Sequence, residues 1–197
     1  MPSDLELLER WRAGDANAGE ELVERYWSSV SRFFRSKIGD DGADLISQTF
    51  LGCVEARDRI EGGNVKGYLF AVARRRLADH FRKSHRAALV DLSLQSLTDL
   101  RSGPSTQLER ARRGEMLREG LSRIPLDDQI ALELMYFEGL STLEIAAVLE
   151  IHENTVRSRL SRAREKLKKA LTALGSLEEA ALAESELVDK SAIDPPG

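Results

Sequence analysis

Apolar residues return every three or four positions along most of the chain, the period of helices that bury one side, and nowhere alternate singly over the length of a strand. Leu5, Leu8 and Trp11 predict a short opening helix. Asp15 begins a second, DANAGEELVERYWSSVSRFFRSKIG, in which Leu22, Tyr26, Val30 and Phe33 recur at helical spacing and Gly39 ends the element. DGADLISQTFLGCVEARDRI predicts a third helix, Gly62 and Gly63 break the chain, and NVKGYLFAVARRRLADHFRKSH predicts a fourth. These four make a helical domain over 1–86. Residues 87–110 carry Ser93, Ser96, Ser102, Gly103, Pro104 and Ser105 with no sustained apolar period, the composition of a flexible linker. A second helical domain over 111–171 contains a charged segment, a break at Pro125, LDDQIALELMYFEG and a final pair of helices. Residues 172–197 form a tail. The expected fold is all-α, with two small helical domains, the second holding a helix-turn-helix.

The final pair, at 141–171, is the most informative stretch. Ser141 and Glu144 make a capping box, in which hydroxyl and carboxylate satisfy the orphan amides of a helix start. Plotted at about 100° per residue, the second helix places Val156, Leu160, Ala163 and Leu167 on one edge. Opposite lie Asn154, Ser158 and Ser161, flanked by Arg157 and Arg162, with Thr155 in the same DNA-facing set. These side chains can hydrogen-bond base edges, whereas Arg159 and Arg164 sit nearer the buried edge and suit phosphates. Two helices joined by about three to four residues, the second basic, are the geometry that lays a recognition helix in the major groove. The turn itself is Glu150, Ile151 and His152, without the glycine such turns often use, which predicts strain or a different shape.

Charge adds a second surface. The formal net charge of −4 argues against a general polyanion binder, but it is segregated along the chain. Seven Lys or Arg oppose two Glu over 153–170, six oppose one Asp over 74–86, and six carboxylates oppose one Lys in the last 22 residues. On the fourth helix Tyr68, Arg75, Asp79 and Arg82 share a stripe distinct from the apolar arc of Leu69, Ala73, Leu77 and Phe81. Helical ion pairs contribute only about 0.2–0.5 kcal/mol each, so stability explains these charges weakly. Tyr68 and Phe70, ahead of the cluster that begins with Arg74 and Arg75, suit the unstacked bases and phosphates of melting DNA.

Other chemistry is thin. No run of about 18 apolar residues exists to span a membrane, and MPSDLELLER lacks the character of a secretory signal, so a cytoplasmic protein is expected. Cys53 is the single cysteine, which excludes an intramolecular disulfide and a cysteine-rich zinc site, and its apolar neighbours place it in a core. His80, His85 and His152 are scattered, and no carboxylate cluster repeats at metal-ligand spacing. No catalytic residue, metal or cofactor is expected, and the chain is not read as an enzyme.

Taken in order, three segments resemble the extracytoplasmic-function class of sigma-70-type sigma factors, the bacterial initiation subunits that bring RNA polymerase to promoters. DLISQTF is similar to the family's core-polymerase-binding helix, usually written DLVQETF. GYLFAVARRRLADHFRK is similar to its promoter-melting helix, and IPLDDQIALELMYFEGLSTLEIAAVLEIHENTVRSRLSRAREKLKK to the domain that reads the upstream promoter element. The resemblance implies contact with core RNA polymerase through Asp44, Ser47, Gln48 and Leu51, with Ser47 and Gln48 standing where Gln and Glu are usual. It implies that Arg157, Ser158, Ser161 and Arg162 read the upstream element in double-stranded DNA. The downstream element would meet Tyr68, Arg75, Asp79 and Arg82, where the family extrudes a base from the non-template strand at a cost of a few kcal/mol. Tyr68 and Arg75 replace the usual Trp and Asn. The implied partners are core polymerase, double-stranded and melted promoter DNA and, as an inhibitor common in the family, an anti-sigma factor.

The rival reading is a helix-turn-helix regulator that does not act as a polymerase sigma subunit. A receiver domain would show alternating strands and helices ahead of the reading head, and none precede it. The tail from 176 onward lies outside the resemblance, and is read either as a solvated acidic end or as a shield for the basic recognition helix.

Overall fold

The computed structural model describes residues 1–88 and 106–175, and these divide between two compact units, within Met1–Leu97 and Thr98–Gly197. The first holds α1 (Asp4–Arg12), α2 (Ala16–Ile38), α3 (Ala43–Ala56) and α4 (Val65–Ala88), with 3-10 turns at Gly39–Gly42 and Arg57–Arg59. The second holds α5 (Thr106–Ser122), α6 (Leu126–Tyr136), α7 (Thr142–Leu149) and α8 (Glu153–Leu174). No strand occurs among the described residues. Helix occupies both ends of the expected linker 87–110, since α4 runs to Ala88 and α5 starts at Thr106; residues 89–105 and the tail beyond Gly175 lie outside the described residues.

In the first unit α1 begins with a second capping box: Ser3 N–H donates to Glu6 Oε2 (2.7 Å) and Glu6 N–H to Ser3 Oγ (3.3 Å). The expected stripe on α1 is displaced, for Leu7 and Leu8 are buried while Leu5 is exposed, lying over Gly63. Trp11 packs where a Cβ on Gly19 would stand, its indole nitrogen 2.5 Å from that position, so only glycine lets α1 lie against α2 here. Polar contacts fix the same helix at both ends. Arg25 of α2 donates to Asp4 Oδ1 (2.7 Å) and to the Pro2 carbonyl (2.9 Å). Arg12 donates to the carbonyls of Arg57 (2.9 and 2.7 Å) and Ile60 (2.5 Å) beyond α3. Leu22, Tyr26, Val30 and Phe33 are buried as the α2 period predicts, and Gly39 ends that helix at φ 61°.

The second unit is built on α8, which packs against α5, α6 and α7. Val156, Leu160, Ala163, Leu167 and Leu171 are buried along one side of it. They share a core with Leu117 and Leu121 of α5, Ile130, Leu132 and Leu134 of α6, and Ile145 and Val148 of α7. A fully buried side chain of this kind contributes roughly 1.5–3 kcal/mol, so this stripe fixes how α8 is rotated and which of its residues face outward.

Candidate nucleic-acid interface

Ser141 starts α7 with the expected capping box, its N–H and Oγ donating to Glu144 Oε2 at 2.8 and 2.7 Å. The helix ends on Glu150, at φ 57° and ψ 43°, the one non-glycine with positive φ among the described residues. Ile151 N–H reaches the Ala146 carbonyl (3.1 Å) and Glu150 N–H that of Ala147 (3.4 Å), the paired bonds of a Schellman ending. The turn therefore has the left-handed geometry usually given to glycine. A non-glycine residue holds it at a cost of about 1–2 kcal/mol. Three residues, 150–152, then separate α7 from α8.

On α8 the side chains of Asn154, Thr155, Arg157, Ser158, Ser161 and Arg162 are exposed, opposite the buried stripe. Ser158 Oγ donates to the Thr155 carbonyl (3.0 Å), which leaves its lone pairs outward, and Arg162 Nε bonds the Ser158 carbonyl (3.3 Å). Arg159 and Arg164 lean toward α6. Arg164 Nη1 contacts Tyr136 Oη at 3.4 Å. Arg159, 22% exposed on its side chain, pairs with the half-exposed Asp127 at 2.9 Å, a partner with which a phosphate would compete. Lys166 likewise reaches the largely buried Asp128 at 2.5 Å.

The leading end of α8 holds a contact that the helical period does not disclose. Glu153 Oε1 accepts from Thr142 Oγ1 of α7 (2.6 Å) and from Arg157 Nη2 (2.7 Å). The Thr142 hydroxyl, then Arg157, hold the Glu153 carboxyl below its ordinary value.

In the first unit α4 carries Tyr68 and Arg74 partly buried, Arg75 exposed, and Asp79 accepting from the exposed Arg82. Phe70 is the correction on this helix. It is 1% exposed and packs edge-on to Phe33 with ring centroids 5.6 Å apart, so it belongs to the core and cannot stack on a base. Two steps along a helix turn the chain through about 200°, which sets Phe70 away from Tyr68.

The third candidate surface lies on α3. Asp44, Ser47, Gln48 and Leu51 recur at helical spacing; Gln48 Nε2 donates to Asp44 Oδ2 (2.6 Å), Ser47 Oγ to the Ala43 carbonyl (3.2 Å), and Leu51 is 56% exposed. Sequence reading missed the rest of this patch. Val54 is exposed one turn on, and Trp27 of α2, 49% exposed, stacks on Phe50 at 5.5 Å and 13°. The available signal was that Trp27 falls beside, not on, the buried stripe of α2. Cys53 is buried behind this face and burial pushes its thiol up to about 11, in keeping with a core residue. Among the described residues no helix is long and apolar enough to cross a membrane.

Comparison with known proteins divides the chain in the same way. Residues 21–87 match the family model described as Sigma-70 region 2, and residues 114–167 the one described as Sigma-70, region 4. The chain is 30% identical over 177 residues to the ECF RNA polymerase sigma-E factor of Escherichia coli (strain K12), covering 83% of this chain and 91% of that protein. It is 26% identical over 164 residues to the ECF RNA polymerase sigma factor BldN of Streptomyces coelicolor, covering 81% of this chain but only 62% of BldN. Among solved structures, the sigma factor RpoE crystallised with the anti-sigma factor NepR from Bartonella quintana matches with a TM-score of 0.65 and 22% identity, over 78% of this chain and 96% of that one.

Proposed function

Since the chain belongs to the extracytoplasmic-function sigma factors of the sigma-70 family, we propose that it directs core RNA polymerase to a specific set of promoters. The observation that carries the reading is α8: its apolar stripe is spent on the core, and Asn154, Arg157, Ser158, Ser161 and Arg162 are left exposed on the other side. In the proposed mechanism this face enters the major groove at the upstream element. Ser158 and Ser161 hydrogen-bond base edges, and the two arginines suit guanine O6 and N7.

The α4 face, with Tyr68, Arg74, Arg75, Asp79 and Arg82, meets the downstream element as it opens. Tyr68 supplies the stacking surface and the arginines the phosphate contacts. The α3 face of Asp44, Ser47, Gln48 and Leu51 docks on core polymerase, and the apolar patch around Trp27 and Val54 extends it. No covalent bond is made or broken by the chain, which is read as non-catalytic and acting in the cytoplasm where polymerase meets promoter. An anti-sigma factor is the inhibitory partner expected under this reading.

A chain that only bound DNA would not need the first unit, which matches region 2. The test is to add the purified chain to sigma-free core polymerase. Co-migration and initiation from a subset of promoters are expected; failure to bind core where a control sigma factor binds would overturn the proposal.

A further inference from the structure

The leading end of α8 is more constrained than an exposed recognition face requires. Glu153 is the first residue of α8, and one of its carboxylate oxygens accepts from Thr142 Oγ1 at 2.6 Å and from Arg157 Nη2 at 2.7 Å. Thr142 is itself the first residue of α7, fixed in place by the Ser141–Glu144 capping box beside it. A hydroxyl on one helix, a carboxylate across the turn and a guanidinium on the exposed face thus form a short relay.

An isolated Glu–Arg pair four residues apart on a helix is a loose, solvent-screened contact, because both side chains rotate freely. Here the hydroxyl comes from a different helix, so the carboxylate has a fixed address. Arg157 is 65% exposed on its side chain and would otherwise sample many rotamers, whereas a two-pronged contact to a base requires one. The left-handed turn at Glu150 sets the distance between the two helix starts, and with it the relay.

Resting on the promoter-reading function proposed above, we infer that Glu153, anchored by Thr142, is a positioning residue that presets Arg157 for one guanine of the upstream element and so sets the base preference at that position. Glu153 does not itself touch the base. Its ionised state is favoured by the two hydrogen bonds it accepts, which keeps the relay intact at neutral pH.

The experiment is a selection from duplexes randomised across the upstream element of an otherwise fixed promoter, with sequencing of the bound fraction. It is run with the full chain alone and with the chain on core polymerase. Arg157→Ala first marks the position that Arg157 reads. Thr142→Val and Glu153→Ala are then expected to reduce the guanine preference there by about three- to tenfold, a part of what a bidentate contact provides. Preference at the positions read by Arg162 should stay as in the native chain. Thr142→Ser, which restores the hydroxyl, should restore the preference, and Thr142→Val should add nothing once Arg157 is alanine. The inference is overturned by an unaltered profile in both Thr142→Val and Glu153→Ala, by an equal loss at every position, by an undiminished effect in the Arg157→Ala background, or by Arg157→Ala leaving the profile unaltered. Should either variant melt below the assay temperature, Thr142→Ala, which removes the hydroxyl and carries the higher helix propensity, is read on the same criteria. Failure of the chain to join core polymerase would count against the parent reading, while the selection with the chain alone still decides on the relay.

Discussion

Arg159 of α8 and Asp127 of α6 form an ion pair at 2.9 Å, which ties a residue of the recognition helix to its own scaffold. Arg159→Ala and Asp127→Ala should each lower the stability of the second unit, by about 0.2–1 kcal/mol, and the double variant should lose less than the two losses added. The salt dependence of duplex binding should be nearly unchanged by Arg159→Ala. A slope that falls by about one would instead show that the guanidinium leaves Asp127 for a phosphate.

Arg162 lies on the exposed face with its Nε resting on the Ser158 carbonyl and no acidic partner among the described residues. Arg162→Ala should relax discrimination at one or two upstream positions by about 1–3 kcal/mol, measured as relative affinities for single-base variants of the selected site. A uniform loss across all variants would mark it as a phosphate contact.

Glu150 holds φ 57° where glycine is at ease. Glu150→Gly should raise the unfolding free energy by about 0.5–1 kcal/mol, because relief of the left-handed strain outweighs the entropy that glycine adds to the unfolded chain. Glu150→Val should lower it by a similar amount or more. Thermal melts decide; a loss of stability with glycine would mean that the side chain of Glu150 contributes more than its backbone costs.

The exposed apolar residues of the first unit, Leu51 and Trp27, are expected to matter for docking more than for folding. Leu51→Asp should weaken association with core polymerase at least about tenfold, as truncated interface anchors do, with little change in melting temperature. Trp27→Ala should act in the same direction, with a modest loss of stability from the Phe50 stack. Normal core binding by both variants would remove this face from the docking surface.

Burial of Cys53 raises its thiol from an ordinary value of 9.0 to about 11. The native chain should therefore resist alkylation at pH 8 and react once denatured. The protonated thiol's share of stability is whole below pH 9, where both states hold the proton, and is lost as pH rises toward 11, because the unfolded chain releases it first. Rapid alkylation of the folded chain at pH 8 would contradict the assignment.

Helical period carried most of the fold. Val156, Leu160, Ala163 and Leu167 sit where spacing puts them, and so do Leu22, Tyr26, Val30 and Phe33. What it could not carry was the choice among residues near an edge. Phe70 is apolar and two steps from Tyr68, so composition grouped two rings that the helix turns apart. Arg159 lies at the margin of the outward face, and the identity of α6 residues across from it decided its partner. The contact of Thr142 with Glu153 spans 11 positions and depends on the turn between them, so no local pattern announces it. Glu150 was visible as an unusual turn residue, but its left-handed backbone is a property of the ending that α7 adopts.

The division of α8 into a core side and an exposed side also bears on how such a chain diversifies. Asn154, Ser158, Ser161 and Arg162 have no share in the buried stripe, so they can be exchanged one at a time without repacking the unit. Arg157 differs, because its setting depends on Glu153 and Thr142. Under the proposed reading of the upstream element, a copy of the gene could drift to a new set of promoters at the first four positions, while a change at Arg157 would need matching changes on two helices. The same helix thus offers both freely editable letters and one letter written jointly with its neighbours.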